Sequence, residues 1–385
     1  MDTILFFQRN DTYAARLRLE GLSAFAREIG WHVQVYAERF DRAALDEVLD
    51  FWRPVGTVLS VNDRQSEFDA SLFDPARTVL LDCFPPHRIA RAFSGVFTDS
   101  PAAVELAARE LAAKDCRDYG FVPWSVPYAW SENRLNHFAS LLARLHRRLH
   151  VFAPSREGLA VKETQRELIA WLRALPKPCG ILAANDRAAD NLLTACLLAH
   201  VSVPFDCAVV GVDDEVTVCE GTTPTLSSVR LDFKESGYRA GALLAELVAG
   251  RLAARTAVTV PPLGLVRRNS SRTFLRTDRF ALTASEVIRA KACDGLAARD
   301  VLAVFPCSRR LAEIRFRNAT GHSVLDEIRA VRLERAKKLL RNPQCDLAAV
   351  ANLCGYASTP TFARVFKAAT GMTMSAYRRA ARTAR

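Results

Sequence analysis

The sequence predicts an α/β region of two lobes over residues 1–262, a linker over 263–282 and an all-α region over 283–385 with two helix-turn-helix motifs. Three observations predict this. From Thr3 to residue 262, short apolar runs alternate with amphipathic stretches, the pattern of βαβ units and parallel sheets. Beyond Thr283 every periodic stretch has helical spacing. Finally, one block is written twice, fifty positions apart. Phe316-Arg317-Asn318-Ala319-Thr320-Gly321 answers to Phe366-Lys367-Ala368-Ala369-Thr370-Gly371, with Ser308 and Ser358 ahead of them at equal offset. Two copies do not make a solenoid; they make one helical motif used twice.

Candidate strands are Thr3–Gln8, Val33–Ala37, Gly56–Val61, Thr78–Asp82, Gly95–Thr98, Tyr119–Val122, Gly180–Ala184 and Ala208–Val212. Their apolar runs lack strict alternation, as strands covered on both faces do. Between them, Thr12–Ile29, Pro101–Ala113, Glu132–Arg148, Val161–Leu175, Arg187–Ala199 and Lys234–Arg251 read as helices. The Pro-, Ser- and Arg-rich stretch from Pro261 to Arg279 has no periodicity and reads as the linker.

In the last region Leu296–Val304 is a short helix and Ser308 caps the next one, which Gly321 closes. Leu347–Cys354, a turn at Gly355-Tyr356-Ala357, and a helix capped by Ser358 and closed by Gly371 repeat the pattern. Pro360 falls in the first turn, where proline is tolerated. Pro306 and Pro343 also punctuate the region. Val324–Leu340 joins the copies, with Leu325, Ile328, Val331, Leu339 and Leu340 expected inward. At ~1.5 Å per residue it spans roughly 25 Å, enough to hold two helices about one DNA turn apart.

Charge points the same way. From Thr283 onward 19 Lys and Arg face 8 Asp and Glu, a net of +11 that equals the whole chain's excess. Residues 263–282 add five Arg against one Asp, so residues 1–262 sum to −4; a basic end on a mildly acidic first region fits a nucleic-acid partner. Ten cysteines without a C-x-x-C pair suggest neither a zinc site nor a disulfide framework, and fit a reducing cytoplasm. The N-terminus lacks the basic residue of a signal peptide, and no stretch approaches the ~20 apolar residues of a membrane span. Phosphate-binding glycine motifs, nucleophile elbows and H-E-x-x-H are absent. His146 and His150 share helical spacing but read, beside Arg147 and Arg148, as a solvated face. No catalytic, cofactor or metal site is proposed.

The end region resembles the AraC-type DNA-binding domain over about a hundred residues. Arg332-Leu333-Glu334-Arg335-Ala336-Lys337-Lys338-Leu339-Leu340, Val350-Ala351, Cys354-Gly355-Tyr356, Phe362-Ala363-Arg364-Val365-Phe366-Lys367 and Tyr377-Arg378 carry the match. The resemblance implies that Arg310, Glu313 and Ile314 in the first recognition helix, and Thr359, Thr361 and Arg364 in the second, read bases. Lys337, Lys338, Arg378 and Arg379 are expected on phosphate or water. Two departures stand out: Ile314 replaces a frequent Arg, and Ala312 a usual core Leu. The first helix is therefore expected to pack more loosely or read by apolar contact. The copies share a scaffold and differ at the reading positions, which predicts two unlike half-sites.

In the first region Asp99-Ser100, Asn185-Asp186 and Asp213-Asp214 follow strands, where ligands bind in open α/β sheets. Asp99 and Asp186 read equally as helix caps. Ala184-Asn185-Asp186-Arg187-Ala188-Ala189, Val209-Val210-Gly211-Val212-Asp213-Asp214 and Pro224-Thr225-Leu226-Ser227-Ser228-Val229 resemble the sensor of LacI-type repressors and periplasmic sugar-binding proteins, with Asp99-Ser100 and Ser131-x-x-Arg134 at matching points. The resemblance implies a two-lobed, periplasmic-binding-protein-like sensor whose cleft takes a sugar on Asp99, Arg134, Asp186 and, at the rim, Asp213. Arg134 reads alternatively as a solvated helix residue. LacI-type repressors open on a DNA-binding headpiece, whereas this sequence opens on a strand, so DNA reading is expected at the C-terminus. Sensor then AraC-type reader is the order of the XylR-like regulators.

These resemblances imply a cytoplasmic, non-enzymatic transcription regulator, expected to be an activator. Its expected partners are a double-stranded DNA operator, a monosaccharide effector such as xylose, RNA polymerase and a second copy in a homodimer, with no membrane. Two alternatives stay open: a sugar-binding protein with a basic tail, and a constitutive regulator with a degenerate sensor.

Overall fold

The computed structural model describes the chain apart from residues 1, 9–11, 37–41, 61–72, 83–91, 115, 127, 156–159, 253–254, 273–277, 342–344 and 384–385. The expected strand ends Ala37 and Val61, the break at Pro343 and part of the expected linker lie outside the described residues. Two compact units result, Met1–Arg272 and Thr273–Arg385.

The first unit opens with β1 (Thr3–Gln8), α1 (Tyr13–Ile29), β2 (His32–Tyr36), α2 (Arg42–Trp52), β3 (Gly56–Ser60), β4 (Thr78–Leu81) and β5 (Ser94–Thr98). The chain then crosses into a second lobe. There α3 (Ser100–Ala112), β6 (Asp118–Val122), α4 (Ala129–Arg144), β7 (Arg148–Val151) and α5 (Val161–Ala174) are followed by β8 (Cys179–Ala183), α6 (Asp186–Ala199), β9 (Cys207–Asp213), α7 (Val216–Gly221) and β10 (Ser227–Arg230). It returns for α8 (Phe233–Val248) and β11 (Ala257–Val260), then crosses once more to β12 (Gly264–Val266). The sheets run β11-β5-β4-β3-β1-β2 and β12-β10-β9-β8-β6-β7. Among the described residues every pairing is parallel except that of β12 with β10. The middle four residues of β1 and all five of β8 are buried, because helices cover both faces.

Three crossings tie the lobes together. Asp99 N donates to Val260 O at 3.0 Å and Leu263 N to Arg230 O at 2.8 Å, so the connecting segments lie side by side. Helices α1 and α8 pack closely under the first sheet. A Cβ at Gly21 or Gly237 would overlap the facing helix's backbone, so glycine is required at both.

Several expectations need correction. The expected linker begins too early: Gly264–Val266 is a strand, and Arg268, Asn269, Ser270 and Ser271 are at most 1% exposed. Arg268, Ser270 and Ser271 are buried with their side chains bonded to other segments. Arg268 pairs with Asp214 at 2.8 Å and Glu220 at 2.7 Å, and Ser227 Oγ donates to Arg268 O at 3.0 Å. The helix expected to reach Arg148 stops at Arg144, and Arg148–Val151 pairs with β6 instead. His150 Nε2 therefore sits 2.8 Å from Asp118 Oδ1, while His146 occupies the preceding turn at φ 52°. The two histidines do not share a helical face.

The second unit is helical: α9 (Arg279–Lys291), α10 (Ala298–Leu302), α11 (Arg309–Thr320), α12 (Val324–Leu340), α13 (Leu347–Leu353), α14 (Thr359–Thr370) and α15 (Met374–Thr383). It has two small cores joined through α12. Val324 and Ile328 pack with Ile288, Phe305 and Phe316, whereas Ala336 and Leu340 pack with Val350, Phe362 and Phe366. Leu325, expected inward, is 45% exposed; it follows Val324 by ~100° around the helix, and Val324 takes the core position. Leu339 and Val331 are partly buried beside these cores.

Candidate functional site

A cavity of about 240 Å³ opens between the lobes of the first unit. It lies beyond the carboxyl ends of both sheets, where parallel strands end and helices begin. The first lobe contributes Thr12, Tyr13 and Arg18 from the first half of α1 and its cap, Ser60 at the end of β3, Leu81 at the end of β4 with Asp82 beyond it, and Thr98 at the end of β5. From the second come Trp124, Tyr128, Trp130 and Arg134 around the start of α4, Asn185 and Arg187 at α6, and Asp213 at the end of β9 with Glu215 beyond it.

Arg134 is 4% exposed. Its guanidinium lies 5.0 Å over the Trp130 ring, donates to Ala184 O, and reaches Asp213 Oδ1 at 3.5 Å. Its expected alternative, a solvated helix position, is therefore corrected. Arg18 enters from the opposite lobe, 5.0 Å over the Phe233 ring and paired with Asp82. Asp82 Oδ1 also accepts from Thr98 N at 2.7 Å and Thr98 Oγ1 at 3.0 Å. Burial lowers Arg18 to about 10, which still leaves it charged at neutral pH. Burial pushes the Asp213 carboxyl up to about 6, against the pull of Arg134 and Arg18. Asp213 has φ 114° and Asp214 φ 52°, conformations costly for residues with a Cβ. The turn sends the first carboxylate into the cavity and the second to Arg268 and Arg230.

Two of the four expected ligand residues, Arg134 and Asp213, line the cavity; Asp99 and Asp186 do not. Asp99 caps α3, accepting from Ala102 N at 2.9 Å. Asn185, not Asp186, caps α6, accepting from Ala188 N at 2.9 Å. Asp186 is 1% exposed and accepts from Ser228 Oγ, from Glu215 N at 2.7 Å and from Cys219 Sγ at 3.3 Å. Its carboxyl is raised well above the usual range by burial, then by Asp213. It anchors the wall that carries Glu215, which holds Arg187 through bonds of 3.1 and 2.7 Å. Sequence reasoning missed Arg18, Asp82 and the aromatic lining. One signal was available: Pro123-Trp124-Ser125-Val126-Pro127-Tyr128-Ala129-Trp130 places three aromatic residues between a strand and a helix.

In the second unit the doubled block recurs atom for atom. Ser308 Oγ accepts from Leu311 N, and Ser358 Oγ from Thr361 N, both at 3.4 Å. Thr320 Oγ1 donates to Phe316 O, and Thr370 Oγ1 to Phe366 O, both at 2.8 Å. Gly321 and Gly371 close the helices at φ 86° and 73°. Arg310, Ile314, Thr361, Arg364 and Lys338 are exposed; Thr359 and Glu313 are half-buried, the latter 3.9 Å from Arg317. Ala312 is fully buried, while Leu311 beside it is 47% exposed. Lys337 pairs with Glu334 at 2.6 Å, and half-buried Arg378 donates to Cys345 O. Arg378, expected on phosphate or water, is thus held by the protein's own backbone. No helix among the described residues is long and apolar enough to cross a membrane.

Comparison with known proteins finds the same two parts. Residues 108–271 match a periplasmic binding protein-like domain and residues 302–380 a helix-turn-helix domain. A xylose operon regulatory protein of Haemophilus influenzae is 32% identical, over 77% of this chain and 76% of that one. Its Escherichia coli counterpart is 30% identical, over 97% of this chain and 96% of that one. Among solved structures, the xylose-binding transcription activator xylR aligns over 98% of both chains, with a TM-score of 0.66 at 27% identity. A LacI family regulator from Arthrobacter in complex with lactose shares the fold over 71% of this chain, with a TM-score of 0.57 at 22% identity. With both units and nearly the whole length matched, the chain belongs to the xylose operon regulatory protein (XylR) family, ligand-controlled DNA-binding transcription regulators with a sugar-binding domain and no enzymatic role.

Proposed function

We propose that this protein is a cytoplasmic, pentose-responsive transcription activator, with xylose as the first candidate effector. The observation that carries the reading is the lining of the cavity between the lobes. Arg18, Arg134, Asp82, Asn185 and Asp213 offer donors and acceptors to ring hydroxyls from both sides. Trp124, Trp130, Tyr13 and Phe233 supply flat apolar faces for the C–H bonds of a sugar ring. A volume near 240 Å³ lies below the range usual for drug-sized ligands and suits a monosaccharide. The names of the relatives support the choice of xylose. In this reading Arg134 and Asp213 touch the sugar, whereas Asp99 and Asp186 hold the walls.

Arg310, Glu313 and Ile314 on α11 and Thr359, Thr361 and Arg364 on α14 read the operator, and Lys338 contacts phosphate. The protein acts as a homodimer that recruits RNA polymerase. Sugar bound by both lobes favours one arrangement of the sensor, and only its differential affinity for the two arrangements can shift DNA binding. Calorimetric titration of the full chain with a pentose and hexose panel, followed by operator titration with and without the best ligand, tests this. Xylose is expected to bind and to change operator affinity. No heat with any sugar, or equal operator affinity in both states, would refute the reading.

A further inference from the structure

Helices α11 and α14 share a scaffold yet show different chemistry to solvent. In α11 the buried side chains are Ala312, Phe316 and Ala319. At ~100° per residue, the direction opposite them is that of Ile314, with Arg310 and Arg317 on one side and Leu311 on the other. Ile314 is 45% and Leu311 47% exposed. In α14, Phe362 and Phe366 are buried. The residues fifty positions on from Ile314 and Leu311 are Arg364 and Thr361, both exposed and both polar. One helix thus presents a guanidinium where the other presents a branched hydrocarbon.

Two neighbouring aliphatic side chains in water forgo the free energy of burial unless a partner covers them. The partner must suit a surface edged on one side by Arg310 and Arg317, in a unit with a large basic excess, which favours a polyanion. Of the groups that base pairs present in the major groove, the apolar one is the C5-methyl of thymine. We infer that α11 selects an A·T pair by contact of Ile314, flanked by Leu311, with a thymine methyl, while α14 selects a G·C pair through Arg364. One chain then reads a thymine-marked half-site beside a guanine-marked one. This rests on the proposal that both helices enter DNA grooves.

The test starts from duplexes selected by the full-length protein from a randomised pool. The selected duplex is remade with deoxyuridine in place of each thymine in turn, which deletes only the methyl. Binding should weaken about fourfold at one position opposite α11, the equivalent of one buried methyl. Ile314→Ala should abolish that difference while keeping the guanine preference opposite α14. Ile314→Arg should move the preferred base at that position from thymine to guanine. Equal binding of thymine and uracil duplexes at every position, with sequence preference intact, overturns the inference and leaves the DNA-reading assignment standing. Failure of the selection to enrich any sequence overturns both.

Discussion

Replacing Gly211 by alanine should damage the sensor at a distance from the sugar. Gly211 lies on β9, two residues before Asp213. A Cβ there would overlap Asp186 Oδ1 and lie 3.1 Å from Leu226 Cδ2 and 3.4 Å from Asp186 Cα. Neither neighbour can yield easily, since Asp186 is 1% exposed and Leu226 fully buried. Overpacking of this kind costs about 1–3 kcal/mol, and a displaced hydrogen bond from Glu215 N or Ser228 adds about 1 kcal/mol. A total of about 3 kcal/mol should lower the melting temperature of a unit this size by about 6–12 °C. All five tryptophans lie in the first unit, so tryptophan fluorescence follows its melting without signal from the helical unit. Because the turn carrying Asp213 and Glu215 leans on Asp186, affinity for the sugar effector should also fall, by about tenfold for a loss of about 1.4 kcal/mol. Gly221→Ala is the control: its Cβ meets nothing within 4 Å, and it should melt within about 1–2 °C of the parent. A Gly211→Ala protein that melts and binds like the parent would refute the idea that Asp186 is a rigid anchor.

Three further outcomes are expected. Asp213, raised by burial to about 6 from the ordinary 3.8, takes up its proton more readily folded than unfolded. Its contribution therefore favours the fold below about pH 4 and is lost as pH rises to 6, whereas a sugar hydroxyl donating to the carboxylate binds better above pH 6. Calorimetry at pH 5, 6 and 7 should show affinity falling toward pH 5, by up to about tenfold per pH unit; a flat profile removes Asp213 as the acceptor. Arg364→Ala should relax preference at one base position at a cost of about 1–3 kcal/mol. Lys338→Ala should instead weaken all sequences alike and reduce the salt dependence. Uniform weakening by Arg364→Ala, seen in competition binding, would move that residue to the phosphates. Asp278 caps α9, accepting from Phe280 N at 3.0 Å, and also holds Arg315 of α11 at 2.8 and 3.1 Å. Asp278→Ala should lose about 1 kcal/mol of capping in urea melts followed by circular dichroism, and Asp278→Ser should recover most of it; equal melts for both would discount the cap.

The sequence by itself determined the features that short-range physics controls. Runs such as Ile4–Phe7 and Ile181–Ala183 are apolar without alternation and too short for helices, so they read as buried strands and are. Ser308, Gly321 and their copies cap helices wherever those helices pack. The basic excess from Thr283 onward marked the DNA-binding end by charge alone. Polar segments defeated the same logic. Ser227–Arg230 and Gly264–Val266 carry too little apolar signal to read as strands, and Arg268, Ser270 and Ser271 are buried against partners far along the chain. Only the tertiary structure decided the cavity. Its lining comes from segments between Thr12 and Phe233 that meet because the chain crosses between lobes. It also decided between Asn185 and Asp186, adjacent residues of similar chemistry. One backbone step turns the first toward the cavity and the second into the wall, where Ser228, Glu215 and Cys219 donate to the buried carboxyl.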